Sequence, residues 1–197
     1  MNRNEIKELH YITHIDNMPL IWKHGILCHK LAYRLKHISV SMEEVQKKRA
    51  NKKVPGGKPL HEYANFYFCA RNPMLFYLKN KYPDELCILR ISHKVLELPG
   101  VIITDRNASS DWVIFYSPDK LSELDSDLIF SQYWTHPEDP FLEMKHKSIK
   151  CAEVLIPDRL TTEFISGAYV PDIETKNKFD KEDLPVSSEI NPYIFFR

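Results

Sequence analysis

The sequence predicts an α+β fold. Short runs of β-branched and aromatic residues read as strands, and short capped segments read as helices, but the two do not alternate with the regularity of βαβ units. No internal repeat or low-complexity segment interrupts them. With 43% hydrophobic residues the chain of 197 can bury a substantial core, and its length suits one domain with a polar segment from about residue 171.

Leu9-His10-Tyr11-Ile12-Thr13-His14 is short, β-branched and aromatic, and reads as the first strand. A helix follows. Asp16 stands at the N-cap, Pro19 fits the first turn, Gly25 closes the helix, and Ile15, Met18, Ile21 and Trp22 recur at helical spacing. Ser41-Met42-Glu43-Glu44 has the pattern of a capping box and starts a polar helix running to about Arg49. The stretch Asn51–Pro59, with Gly56-Gly57, reads as a loop.

Asn65–Cys69 reads as a buried strand, and Asn72-Pro73 as N-cap and first residue of a helix carrying Met74, Leu75, Tyr77 and Leu78. Further strands are expected at Glu85–Ile91, Val101–Thr104 and Ser148–Ile156. Arg106–His146 reads as irregular, with short helices at best, and a stretch this long inside a compact domain is usually a functional loop. The terminal cluster Tyr193-Ile194-Phe195-Phe196 is apolar enough to dock back on the core.

Lys+Arg and Asp+Glu both number 27, so a nucleic-acid site must be a local patch on a neutral chain. The four cysteines, Cys28, Cys69, Cys87 and Cys151, form no C-x-x-C pair and read as buried thiols of a cytosolic protein. The start of the chain has no apolar signal region, and no run is long enough to span a bilayer, which again points to the cytoplasm. Histidine pairs such as His10/His14 lie roughly 13 Å apart on a strand, too far to share a metal. No H-E-x-x-H, Walker or G-x-G-x-x-G motif is present, so no metal is expected.

Two features stand out chemically. Strand alternation over Ile149–Ile156 places Glu153 on one face with Ile149, Cys151 and Leu155, and a carboxylate among apolar neighbours must be paired, lie at a cleft, or reach solvent from an edge strand. The run Lys47-Lys48-Arg49-Ala50-Asn51-Lys52-Lys53 suits a pyrophosphate or a nucleic-acid backbone, and equally a solvated helix end.

Four segments in order resemble the DarT family of DNA ADP-ribosyltransferase toxins: His10–Asn17 with Gly25-Ile26-Leu27; Glu44–Arg49; Phe66-Tyr67-Phe68-x-x-Arg71-x-Pro73-Met74-Leu75; and Cys151–Pro157. The chain departs from that pattern at Tyr11, where the family carries histidine. The resemblance implies the ADP-ribosyltransferase fold over residues 1–197, a split, mainly antiparallel sheet with peripheral helices and a central cleft for NAD⁺. It implies transfer of ADP-ribose onto a base of single-stranded DNA, thymidine ahead of guanosine, with release of nicotinamide. Transfer onto RNA or protein is the alternative of the same chemistry. A non-catalytic NAD⁺ or nucleic-acid binding module is the alternative of another class.

The resemblance also carries roles. Glu153 and Arg49 are the implied catalytic residues; Tyr11, Ile12, Thr13, Leu20 and Arg49 the implied NAD⁺ contacts; and Tyr67, Arg71, Met74 and Trp112 the implied DNA contacts. The aromatics Trp112, Tyr116, Tyr133 and Trp134 of the long stretch are candidates for stacking on unpaired bases, with core packing as the competing explanation. A macrodomain antitoxin that removes the modification is the implied partner.

Overall fold

The computed structural model describes residues 1–197. Its strands are β1 (Glu8–His14), β2 (Ile26–Leu27), β3 (Tyr63–Tyr67), β4 (Leu86–Ser92), β5 (Ile102–Thr104), β6 (Phe115–Tyr116), β7 (Glu153–Pro157), β8 (Arg159–Leu160), β9 (Ile165–Val170) and β10 (Ser188–Ile190). Its helices are α1 (Met18–His24), α2 (His29–Ala32), α3 (Glu43–Ala50), α4 (Pro73–Lys81), α5 (Ser126–Phe130), α6 (Pro140–Ile149) and α7 (Ile173–Asp180). Eight strands form one sheet in the order β10-β9-β4-β1-β3-β7-β5-β6, and β2 and β8 pair separately. All neighbours in the large sheet are antiparallel except β10 and β9.

Strand alternation sends side chains into two apolar layers. Leu9, Phe66, Leu89, Ile91 and Val154 enter the larger core on one face. Ile12, Tyr67, Ile88 and Leu86 enter a smaller one on the other, covered by Leu75 and Leu78 of α4 and by Phe195. The terminal aromatic cluster therefore docks as its composition indicates. Asn72 caps α4 as expected, its side-chain oxygen accepting from the Leu75 N–H at 3.1 Å. Gly25 closes α1 at φ 80°, where a Cβ would collide with the Leu160 carbonyl oxygen.

Several sequence expectations are corrected. Ile15–Asn17 form a 3-10 turn before α1, so the cap position falls to Asn17 and not to Asp16. Ser41 does not cap α3: its hydroxyl bonds the Ser39 hydroxyl at 2.7 Å, and Met42 stands at the cap position without a side-chain bond. The strand expected at Ser148–Ile156 begins only at Glu153, because Asp139 caps and Pro140 opens α6, which runs through Ile149. That helix, with α5 and β6, also replaces much of the irregular stretch expected over Arg106–His146. Its inward residues include His146, and the buried Lys150 follows at its end, so the apolar periodicity is weak. The polar segment beyond Pro171 contains α7 and β10, the latter extending the sheet beside β9.

A row of polar side chains ties four strands together on one face. Glu8 of β1 accepts from Arg90 of β4 at 2.8 Å and from the Tyr169 hydroxyl of β9 at 2.8 Å, while Arg90 also reaches Glu189 of β10 at 3.3 Å. Burial alone would raise the Glu8 pKa, but bonds from His10, Arg90 and Tyr169 outweigh it and bring the group down to about 2. Because the folded value lies below the ordinary 4.5, the stabilisation is present above that pH and lost as pH falls toward 2. Denaturation of wild type and Glu8→Gln should therefore give curves that separate above pH 4.5 and converge near pH 2. A constant offset across that range would contradict the assignment.

Candidate active site

The centre of the molecule is shaped by where the sheet stops being a sheet. Strands β1 and β3 are in register at one pair only, His10 opposite Tyr67, and then diverge. β1 continues along β4 through His14, and β3 runs along β7. The edge of β1 from Tyr11 to Thr13 is thereby left facing a cleft of about 840 Å³ instead of a neighbouring strand. A cleft between split halves of a sheet presents main-chain groups that ladder pairing does not consume.

Glu153 starts β7 directly opposite Tyr67. Its side chain has 0% exposure. Arg49 Nη1 donates to both carboxylate oxygens, at 3.0 and 2.9 Å, and the Ala108 main-chain N–H donates to Oε1 at 3.2 Å. The Glu153 N–H in turn donates to the Thr104 hydroxyl at 3.0 Å, and that hydroxyl donates to the Arg106 carbonyl at 2.7 Å. The carboxylate is thus fixed from one side by β5 and the turn after it, and from the other by α3. A buried carboxylate needs such partners, because desolvation is costly unless a charge and hydrogen bonds replace water.

The helix periodicity of α3 explains how Arg49 arrives there. Met42, Val45, Gln46 and Arg49 recur at i, i+3, i+4 and i+7 and all line the cleft. Lys47 and Lys48 point to solvent, Lys47 pairing with Glu43 one turn earlier at 2.8 Å. The basic run therefore divides: Arg49 is buried, Lys47, Lys48 and Lys53 are exposed, and the half-buried Lys52 donates to the Ser109 and Ser110 carbonyls. Because Arg49 uses a single nitrogen for both carboxylate oxygens, its Nη2 is left buried without a partner in the protein, and so is Gln46 Oε1. Orphaned buried polar atoms cost about 1–3 kcal/mol each, and two of them on neighbouring turns at a cleft mark a place where a polar ligand completes the hydrogen bonding.

Tyr67 lies against the same carboxylate. Burial first, and then the negative charge of Glu153, hold its hydroxyl well above the ordinary phenol range, and it donates to the Met74 sulfur at 2.8 Å. It is a neutral hydroxyl on the cleft wall. Burial likewise pushes the neighbouring Cys151 thiol up to about 12, so this thiol is no nucleophile.

Of the residues singled out in the sequence, Tyr11, Ile12, Thr13, Arg49, Tyr67, Arg71 and Met74 all line the cleft. Leu20 lies beside it, in a niche of about 50 Å³ whose walls also include Tyr11 and Thr13. Glu153 sits behind Arg49 and Tyr67 and does not itself form the open wall. Trp112 is not brought to the site: it is 80% exposed on the outer part of the loop after β5. Tyr133 and Trp134 do reach the cleft. No group of three or more His, Cys, Asp or Glu side chains is placed to hold a metal ion, and no helix is long and apolar enough to cross a membrane.

Sequence reasoning missed Thr104, Ala108, Gln46 and Asn17. The Ala108 contact is a main-chain one and leaves no trace in residue type. Gln46 was legible, since it stands one turn before Arg49. Asn17 bonds the Thr13 hydroxyl at 3.2 Å and both main-chain groups of Ile38, at 2.8 and 2.9 Å, pinning the loop that roofs the cleft.

The family model described as ssDNA thymidine ADP-ribosyltransferase, DarT, matches residues 10–196. The chain belongs to this family. Among its DarT relatives, a DNA ADP-ribosyl transferase–DNA ADP-ribosyl glycohydrolase fusion protein of Thermosipho africanus is 30% identical over 203 residues, covering 96% of this chain and 50% of the relative. The chain thus spans half the length of that fusion. A DNA ADP-ribosyl transferase of Thermus sp. is 31% identical over 159 residues, covering 75% of this chain and 73% of the relative. The structure of Thermosipho africanus DarTG in complex with ADP-ribose superposes with TM-score 0.83 at 30% identity, over 96% of this chain and 51% of that one. Thermus sp. 2.9 DarT in complex with ADP-ribosylated ssDNA gives 0.82 at 25% identity, over 96% of both chains. The split antiparallel sheet expected from the sequence is the fold of these structures.

The buried ion pair of this DarT-family cleft can be tested by stability. Arg49→Met should cost about 3–5 kcal/mol, because it strands a buried carboxylate. Adding Glu153→Gln to it should recover part of that loss. Urea titration of both single variants and the double variant measures the coupling. Strictly additive costs would show that the pair does not hold the cleft floor.

Proposed function

We propose that this chain is an NAD⁺-dependent transferase, acting as one domain, that attaches ADP-ribose to a base of single-stranded DNA, thymine in preference to guanine. The observation that carries the proposal is the Arg49–Glu153 pair at the floor of a cleft whose wall is the open edge of β1. Membership of the DarT family supports the substrates: the family description names thymidine in single-stranded DNA, and a structure of Thermus sp. 2.9 DarT is a complex with NAD⁺ at 25% identity and TM-score 0.77.

In the proposed reaction the bond between nicotinamide and ribose C1′ breaks, and its electron pair leaves with the nicotinamide nitrogen. Positive charge develops on the ribose, as in glycoside cleavage. Thymine N3 then bonds to C1′ and loses its proton. The Glu153 carboxylate is the chain's group suited to stabilise the ribose cation, to hydrogen-bond a ribose hydroxyl, and to receive the proton of the attacking base. Main-chain groups of Tyr11–Thr13 and the Thr13 hydroxyl hold the nicotinamide end, with Leu20 in the adjoining niche.

Arg49 takes the other role. A guanidinium stays charged and accepts no proton, so its free Nη2 serves an anion, either the pyrophosphate or the deprotonated base. Because Arg49 covers Glu153 in the structure, contact between the carboxylate and the ribose requires the Arg49 side chain to shift when the ligand binds. Tyr67, Arg71 and Met74, which line the cleft, are the residues we propose to contact the acceptor strand. We further propose that the modification is toxic and that a macrodomain partner reverses it, as the glycohydrolase half of the Thermosipho africanus fusion suggests.

Glu153→Ala should lower transfer by about 10³-fold while the protein still binds NAD⁺, because the lost contact belongs to the transition state. Arg49→Lys should recover little over Arg49→Ala, since an ammonium has no planar fork. Radiolabelled NAD⁺ with matched oligonucleotides, single- and double-stranded, lacking thymine or lacking guanine, checks the acceptor. The expected label is confined to single strands containing thymine, whose N3 lies on the paired edge in a duplex. Label that survives loss of thymine and disappears with guanine would assign the other base, and label on RNA or protein alone would overturn the DNA acceptor.

A further inference from the structure

On the wall of the cleft, three aromatic rings from three distant parts of the chain meet edge to face. Phe76 of α4, Trp134 and Phe196 have centroids 5.1 to 6.0 Å apart, with interplanar angles of 82° to 86°. All three line the cleft. Two cations lie on the same rings: Arg71 stands 4.0 Å from the Phe196 centroid, and Lys79 stands 4.6 Å from Phe76 and 5.4 Å from Phe196. Neither cation is paired with a carboxylate. Arg71 donates to the Tyr193 carbonyl, and its Nε is buried without a partner in the protein.

An apolar cluster of this kind in a core would be closed over, but this one is open on one flank. Phe76 and Tyr77 are about half exposed and Tyr133 more so, all of them lining the cleft. Phe196 itself takes φ 63°, which a bulky aromatic rarely adopts, and the ring cluster and the Arg71 stack fix it there. Exposed rings interleaved with unneutralised cations have the chemistry to receive a nucleobase on a π face and its phosphate on a cation. Lys79, resting on rings and not on an acid, is free to turn to a phosphate.

We propose that Phe76, Phe196 and Lys79 form a subsite for a nucleotide flanking the modified base, with Trp134 bracing the rings and Arg71 bracing Phe196. The subsite deepens the proposed reading, since it presumes a single-stranded DNA acceptor. It accounts for how a chain of zero net charge holds a polyanion: the cations are few, unpaired and set against rings. It also gives the docked end of the chain a part in substrate binding, beyond closing the smaller core.

The test is binding without NAD⁺, followed by fluorescence anisotropy of a labelled single-stranded oligonucleotide. Phe196→Leu keeps apolar packing and removes the π face, and should weaken binding about tenfold. Lys79→Gln should reduce the slope of log affinity against log salt by ~0.7, the loss of one phosphate contact. In a scan of abasic positions, one flanking site should bring wild type and Phe196→Leu to the same affinity. Unchanged affinity in both variants, or an equal Phe196→Leu deficit on every abasic strand, would overturn the subsite. Failure of the DNA reading registers separately, as tight binding without any ADP-ribose added to the strand when NAD⁺ is supplied.

Discussion

The site depends on a carboxylate that has been taken fully out of water at the first residue of a strand. Glu153 has 0% exposure, and it is held by a guanidinium from α3 and a main-chain N–H from the turn after β5. Neither partner is local in sequence: Arg49 lies 104 residues away and Ala108 lies 45 away. The fold must therefore bring three segments to one point before the charge can be buried, because a single missing partner would leave an uncompensated ion. The Thr104 hydroxyl, which accepts from the Glu153 N–H, fixes the backbone at that point as well.

That constraint explains the opening of the sheet. If β1 and β3 paired along their whole length, the β1 edge from Tyr11 to Thr13 would spend its hydrogen bonds on a neighbouring strand. Pairing at His10 and Tyr67 alone keeps the halves joined while leaving the edge available. The polar row of Glu8, Arg90, Tyr169 and Glu189 holds one half together, and β3, β7 and β5 hold the other. Thr13 of β1 and Arg49 of α3 then line one cleft, which a continuous sheet would close along the β1 edge.

Much of this was legible in the residues. The β-branched run at Leu9–His14 and the Asn72-Pro73 helix start have local signals and are present, and of the strand expected at Ser148–Ile156 the part from Glu153 on is present. Four short segments in family order were enough to point to the split sheet and to Arg49 and Glu153. What escaped had physical reasons. Helix α6 buries His146 and is followed by the buried Lys150, whose ammonium donates to the Ile129 and Ser131 carbonyls at 2.9 and 2.7 Å, so hydrophobic spacing could not reveal it. Trp112 has a ring suited to stacking, but composition says nothing about which side of a loop a ring will occupy. The burial of Glu153 behind Arg49 is tertiary information, and strand alternation alone left an edge-strand glutamate equally open.

In the proposed reaction the Arg49–Glu153 pair is the reactive floor of the cleft. The most direct measurement is a crystal structure of the chain with a non-hydrolysable NAD⁺ analogue. The nicotinamide end is expected beside Thr13, the Glu153 carboxylate within hydrogen-bond distance of a ribose hydroxyl, and Arg49 Nη2 on an oxygen of the pyrophosphate. An analogue seated elsewhere, with Glu153 still sealed behind an undisturbed Arg49, would contradict this assignment.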